Sequence, residues 1–267
     1  MQKNKIIISV IMICILSTSH VSAVPNYGPI EIPDSIMAIT SPQGLQPFLD
    51  SSSERDRAFG VLRLRQIGSA EDIPLLLEAY VKEPIKIGAI EGIRGVKYYS
   101  LMAIGEIGGP AAESALIDMA VRLEPFGNID SLILADALCK ALTKIGTIDA
   151  KSKLEDIYAD TFFDWGAREY ALTGLLLIEL KNRNFESIGD SVAYLCEKIS
   201  SHFAIDMKKY EDFIISNAAK KALIEISSEK SLIALDDILS NINSNNELKR
   251  YLIEVRKSME HKKNNNH

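Results

Sequence analysis

Few residues in this chain have the types and spacing that chemistry requires. Of the four histidines, His261 and His267 stand at the far C-terminal end and His20 just after an apolar N-terminal run, which leaves His202. Cys196 precedes His202 by six residues, a spacing that does not put both on one helix face, so no zinc site is expected there. Ser191 in "IGDSVA" would need a preceding strand and a partner Asp-x-x-His near the C-terminus to act as a nucleophile, and the sequence supplies neither. The segment reads instead as a helix start capped by Asp190 or Ser191. "GAIEGIRGVK" at 88–97 has glycines and a lysine without the Gly-x-x-x-x-Gly-Lys-Ser/Thr spacing that cradles phosphate. Asp236 and Asp237 are adjacent, about 100° apart on a helix, and read as solvated charges. The expectation is a chain that is not an enzyme, with no catalytic, metal or cofactor-binding residue.

What remains is architecture. The chain has 267 residues, 47% hydrophobic and 25% charged, which is ordinary globular usage. Aromatics make up 7% and there is one Trp, so the core must be mostly aliphatic. The formal net charge of −6 argues against nucleic acid as a partner, because phosphate binding asks for a clustered basic face.

The first residues, "MQKNKIIISVIMICILSTSHVSA", join a cationic start (Lys3, Lys5) to an apolar run from Ile6 to Leu16 and a polar stretch with Val21 and Ala23. That is the three-part pattern of a secretory signal peptide, with cleavage expected after Ala23. The run is too short for a membrane span, so none is expected after cleavage. The localisation expected is secreted or periplasmic. Cys139 and Cys196, the cysteines left, sit in apolar helical patterns and read as buried thiols.

Residues 24–53 form a Pro-rich leader, with Pro25, Pro29, Pro33, Pro42 and Pro47 favouring extended or turn conformations and partial order. Residues 54–258 carry a repeated phrase, and 259–267 read as a polar disordered tail. In the repeat, Ile67, Ile107, Ile145, Ile178 and Ile226 form one column, spaced 40, 38, 33 and 48 residues apart. Three positions earlier stand Leu64, Ile104, Leu142, Leu175 and Leu223, on the same helical face. Four positions earlier stand Arg63, Ala103, Ala141, Gly174 and Ala222, small in all but the first, which lets a neighbouring helix approach. Gly68, Gly108 and Gly146 follow the first three isoleucines, where a helix end turns left-handed. A second amphipathic run follows each break. Each unit is thus helix, turn, helix, and such pairs bury their apolar stripes by stacking. The shared column places Ile107 among the buried residues.

These columns resemble HEAT repeats, including the HEAT-like units of phycobilin lyases, over about residues 55–240. The resemblance implies an all-α fold, a right-handed α-solenoid of about five HEAT-like helix pairs, and the usual role of such solenoids as protein-binding scaffolds. It implies no reaction. The function expected is a secreted, non-catalytic scaffold that binds another protein or a peptide. The alternatives are an accessory or ligand-binding protein resembling phycobilin lyases, and a structural subunit of an envelope assembly.

The connections between units lie at equivalent places: "VKEPIKIGAIEGIRGV", "RLEPFGNIDS" and "ADTFFDWGA". Stacked along one edge, they would present Ile90, Ile93, Arg94, Phe126, Phe162, Phe163 and Trp165, the aromatic and Arg composition of interface hot spots. These side chains either form that candidate protein-binding edge or fold back as caps on the helix stack. A concave surface made by the second helices, around Leu76, Leu116, Leu154 and Leu195, is the next candidate.

Overall fold

A computed structural model describes residues 31–83, 95–121, 129–183, 185–203, 210–242 and 247–265. The segment read as a signal peptide lies outside the described residues, as do Ile90, Ile93, Arg94 and Phe126.

Every regular element among the described residues is helical. The three leader prolines among the described residues stand where helices tolerate them. Pro33 precedes α1 (Asp34–Met37), Pro42 opens a 3-10 turn (Pro42–Leu45) and Pro47 lies in the first turn of α2 (Gln46–Leu49). These single turns bury Ile36, Leu45 and Leu49 against the next helix, so from residue 34 the leader covers the first end of the stack.

Five helix pairs follow. Ser53 caps α3 (Glu54–Ile67) by accepting the Asp56 N–H at 3.3 Å. A 3-10 turn (Ala70–Asp72) leads into α4 (Ile73–Lys82), and Asp72 accepts the Ser69 N–H at 2.8 Å. The second pair is α5 (Val96–Ile107) and α6 (Gly109–Val121); the third is α7 (Ile129–Ile145) and α8 (Ile148–Ala159). The fourth is α9 (Trp165–Asn182) and α10 (Ile188–Ser201), and the fifth α11 (Tyr210–Glu225) and α12 (Glu229–Ser240). A last helix, α13 (Glu247–Asn265), closes the stack. The odd-numbered helices from α3 to α13 pack side by side in chain order; the even-numbered ones make a second layer against them. The fold is an all-α, HEAT-like solenoid.

The small column works at contact distance. A Cβ added at Gly105 of α5 would lie 2.7 Å from the Ala141 Cα, and one at Gly174 of α9 would lie 2.2 Å from the Thr143 Oγ1. Three adjacent odd helices therefore approach closely through glycine and alanine. The deepest burial, however, falls one turn before the isoleucine column. Leu64, Ile104, Leu142 and Leu223 are fully buried, whereas Ile67, Ile107, Ile145 and Ile226 are half-buried at the helix ends. Ile107, expected to be buried, stands at the rim of the layer, where it packs beside Gly68 of the preceding unit.

Four further details differ from the sequence reading. Gly108 and Gly146 have φ of 71° and 68° as expected, but Gly68 has φ −76°, because its chain leaves α3 extended toward the Ser69 cap. The fourth phrase is read one turn early: α9 runs past Ile178 to Asn182, and the ends Ile67, Ile107, Ile145, Asn182 and Glu225 are spaced 40, 38, 37 and 43 residues apart. The cap of α10 is Ser187, with Asp190 closing the box from the third position; Ser191 is buried. The tail placed at 259–267 is helical through Asn265, because α13 continues and Met259 is fully buried against the second core.

Candidate binding groove

The side of the odd-numbered layer turned away from the even helices carries a groove of about 800 Å³, lined from α5, α7, α9, α11 and α13. Its floor is apolar, with Met102, Leu177, Ile178, Ile224 and the ring of Tyr170. Its charge is one-sided: Lys140, Lys144, Lys181, Lys220 and Lys221 against Asp136 and Glu225. That is a local excess of positive charge in a chain whose net charge is −6.

The lysines fall into two kinds. Three are held within the protein. Lys140 reaches Asp136 one turn back at 2.9 Å. Burial works against its charge, but Asp136, Tyr98 and Glu225 outweigh it and hold Lys140 well above the usual lysine range. Lys144 reaches Glu106 at 3.4 Å, a carboxylate that Arg65 also contacts at 3.1 Å. Lys221 donates to Glu169 at 2.8 Å with its ammonium 3.7 Å from the centre of the Tyr170 ring. The Glu169 carboxyl is raised by burial, an effect that Lys221 and Lys220 oppose. The other two lysines are available. Lys181 is exposed and has no ion-pair partner among the described residues. Lys220 lies 5.4 Å over the Tyr251 ring and likewise makes no ion pair among them.

Cys139 also lines the groove. Burial pushes its thiol far up, so it is not a thiolate at neutral pH and behaves as an apolar wall. Cys196 is buried too, its thiol pushed up to about 11, and both cysteines are unbridged. His202 pairs with Asp212 at 2.9 Å, joining the end of α10 to α11. Among the described residues no group of three or more His, Cys, Asp or Glu side chains is placed to hold a metal ion. No helix among them is long and apolar enough to cross a membrane.

Of the loop residues picked from sequence, three are described. Phe162 is 65% exposed. Phe163 is half-buried and packs on the first core. Trp165 begins α9 with its ring edge-on to Phe213 of α11, centroids 5.9 Å apart. The surface expected around Leu76, Leu116, Leu154 and Leu195 is not a surface, since all four are fully buried between the layers. The groove lies on the first helices of the pairs. The lysine pattern was in the sequence. Lys144 and Lys181 each stand one residue before the end of an odd helix, a match hidden by reading the fourth phrase one turn early.

No family model matches the chain, and no curated protein matches it. Among solved structures, it is similar to the complex of CpcE and CpcF of phycocyanin lyase from Nostoc sp. PCC7120. The identity is 14%, over 89% of this chain and 99% of that chain, with a TM-score of 0.34.

Proposed function

We propose that this chain is a non-catalytic binding protein that holds a segment of another protein in the groove across its odd-numbered helices, and that it does so after export. The observation that carries the reading is the groove itself: an apolar floor under a surplus of lysines, two of them without an internal ion-pair partner, in a chain that is acidic as a whole. Pockets combining apolar walls with a few directed polar groups are the usual form of binding sites. Export rests on the cationic start, short apolar run and Val-x-Ala pattern of residues 1–23. A second contact edge at the loop after α8 is proposed for Phe162, on its exposure of 65%.

The test compares three forms of the chain starting at Val24: unaltered, K181E/K220E and F162S. Each is used to capture partners from the compartment to which the protein is exported. Loss of the captured partner with K181E/K220E supports the groove. Equal capture by all three sinks it, and loss with F162S alone moves the contact to the loop edge. Mass analysis of the exported protein should find Val24 as the first residue; an intact Met1 refutes export by this signal.

A further inference from the structure

We infer that the occupant of this groove is an extended acidic segment of a partner protein, with carboxylates about three residues apart and small or apolar residues between them. The inference rests on the groove reading above and adds the chemistry of the ligand. Length is its first support. The lining residues come from five consecutive odd helices. Packed helix axes lie about 8–10 Å apart, so the groove runs for roughly 30–40 Å. An extended chain rises about 3.3 Å per residue, so about ten residues would fill that length. A volume of about 800 Å³ spread over such a length is a shallow trough that suits a single strand of polypeptide.

Charge is the second support. Lys144 and Lys181 stand at matching positions on neighbouring helices α7 and α9, and Lys220 stands on the next, α11, one turn further from the helix end. One helix spacing corresponds to about three residues of extended chain, which sets the interval between the carboxylates. Lys181 and Lys220 make no ion pair among the described residues, although Lys220 is close enough to support the Glu169 carboxylate, so Lys181 supplies the least committed charge. Between them the floor offers Leu177, Ile178 and Ile224, which favour uncharged side chains at the intervening positions. Asp136 and Glu225 lie within the same lining, so an uninterrupted polyanion meets repulsion that a spaced one can step over.

The test is fluorescence anisotropy on the full chain with labelled peptides of about twelve residues, long enough to span the groove. One carries Glu at every third position among Ala and Ser. A second has the same composition with its Glu residues contiguous. A third probe is a thymidylate oligonucleotide of about the same length. The spaced peptide is expected to bind, to weaken as NaCl rises from about 50 to about 300 mM, and to bind at least about ten-fold more weakly to K181E/K220E. K257E, an exposed change on α13 outside the groove lining, should leave binding unchanged. An unshifted thermal midpoint for K181E/K220E certifies its fold. The inference is overturned if the spaced peptide does not bind, if the contiguous peptide or the oligonucleotide binds as tightly, or if K257E weakens binding equally. If the spaced peptide fails while K181E/K220E still loses the native partner, the ligand chemistry is wrong and the groove reading stands. If the native partner is captured equally by K181E/K220E, the groove reading itself falls.

Discussion

The first three helix pairs and the last two are built from the same unit, but the row of second helices that runs through the first three does not continue into the fourth. In the first part, α5 passes to α6 through Gly108 alone, and α7 to α8 through Gly146 and Thr147. Such connections hold each second helix against its neighbours, and α4, α6 and α8 form a continuous row. In the second part, residues 183–187 join α9 to α10, and α10 packs on α11 and α12, with no comparable contact to α8. The cores divide at the same place. One holds residues from Ile36 to Ile178 and the other from Leu176 to Met259, with α9 contributing to both. The lesson is that a glycine at the helix end does more than stop a helix. After α5 and α7 it fixes where the next helix can lie; α9 ends instead on Arg183, and there the even row breaks while the odd row continues.

If the two cores are separable, truncating each should open only its own half. Leu142→Ala in the first and Leu235→Ala in the second remove fully buried leucines and should each cost about 2–5 kcal/mol. Hydrogen exchange should then show lost protection in α3–α8 for Leu142→Ala and in α11–α13 for Leu235→Ala. A uniform loss along the chain in either variant would show one cooperative unit and break the comparison.

The difference between the halves also explains what was legible beforehand. The −3 and −4 columns are visible because burial at a helix crossing demands aliphatic and small side chains at fixed spacing: Leu64, Ile104 and Leu142 with Ala103 and Ala141. The fourth unit was misread because α9 meets two cores. It carries apolar residues on more than one face, including Leu175, Leu176 and Ile178, and no glycine marks its end. The groove was hidden for a related reason. Its lysines lie on three helices, and only the correct register aligns Lys144 with Lys181. The helical tail was missed because Val255 and Met259 are a sparse apolar signal among charges, and their burial depends on the core already formed by α11 and α12.

Each half has an arginine clamp, and the clamps are opposite in which partner is buried. In the first, Glu83 is 7% exposed and grips Arg57, which is 20% exposed and also donates to the Ser51 carbonyl at 2.7 Å. In the second, Arg168 is 7% exposed, donates to the Tyr158 carbonyl at 2.8 Å and reaches Glu211, which is 56% exposed. Glu211→Ala strands the buried guanidinium and Arg57→Ala the buried carboxylate. Each should cost about 1–3 kcal/mol, less than a fully buried pair because solvent reaches one partner. Denaturant unfolding of both variants measures the two losses, and a loss below about 0.5 kcal/mol in either would remove the clamp from that half.

At the junction the loop aromatics offer a smaller test. Trp165 braces α9 against Phe213 of α11, whereas Phe162 is exposed. Trp165→Ser should lower stability by about 1–2 kcal/mol and Phe162→Ser by no more than about 0.5 kcal/mol. Equal losses would make the whole loop a cap and remove Phe162 as a contact.

The smallest effect is expected at Glu169, where α9 meets α11 beneath the groove. Burial raises its carboxyl above the ordinary glutamate range, and Lys221 at 2.8 Å only partly opposes this. The folded state therefore takes up this proton more readily than the unfolded chain. The associated stability is fully present below the unfolded value and is lost as pH rises through the folded one. Glu169→Gln keeps the shape without the titration, so variant and parent should be close in stability near pH 4. The variant should gain on the parent as pH approaches 7. Thermal midpoints across that range measure the difference. A parent that becomes the more stable of the two with rising pH would mean that the Lys221 pair outweighs burial. In the variant, Lys221 also loses its internal carboxylate partner, which adds unmatched charge to the groove. The spaced acidic peptide should then bind Glu169→Gln more tightly than the parent, and tighter binding at unchanged salt would tie the junction between the two cores to the site that spans them.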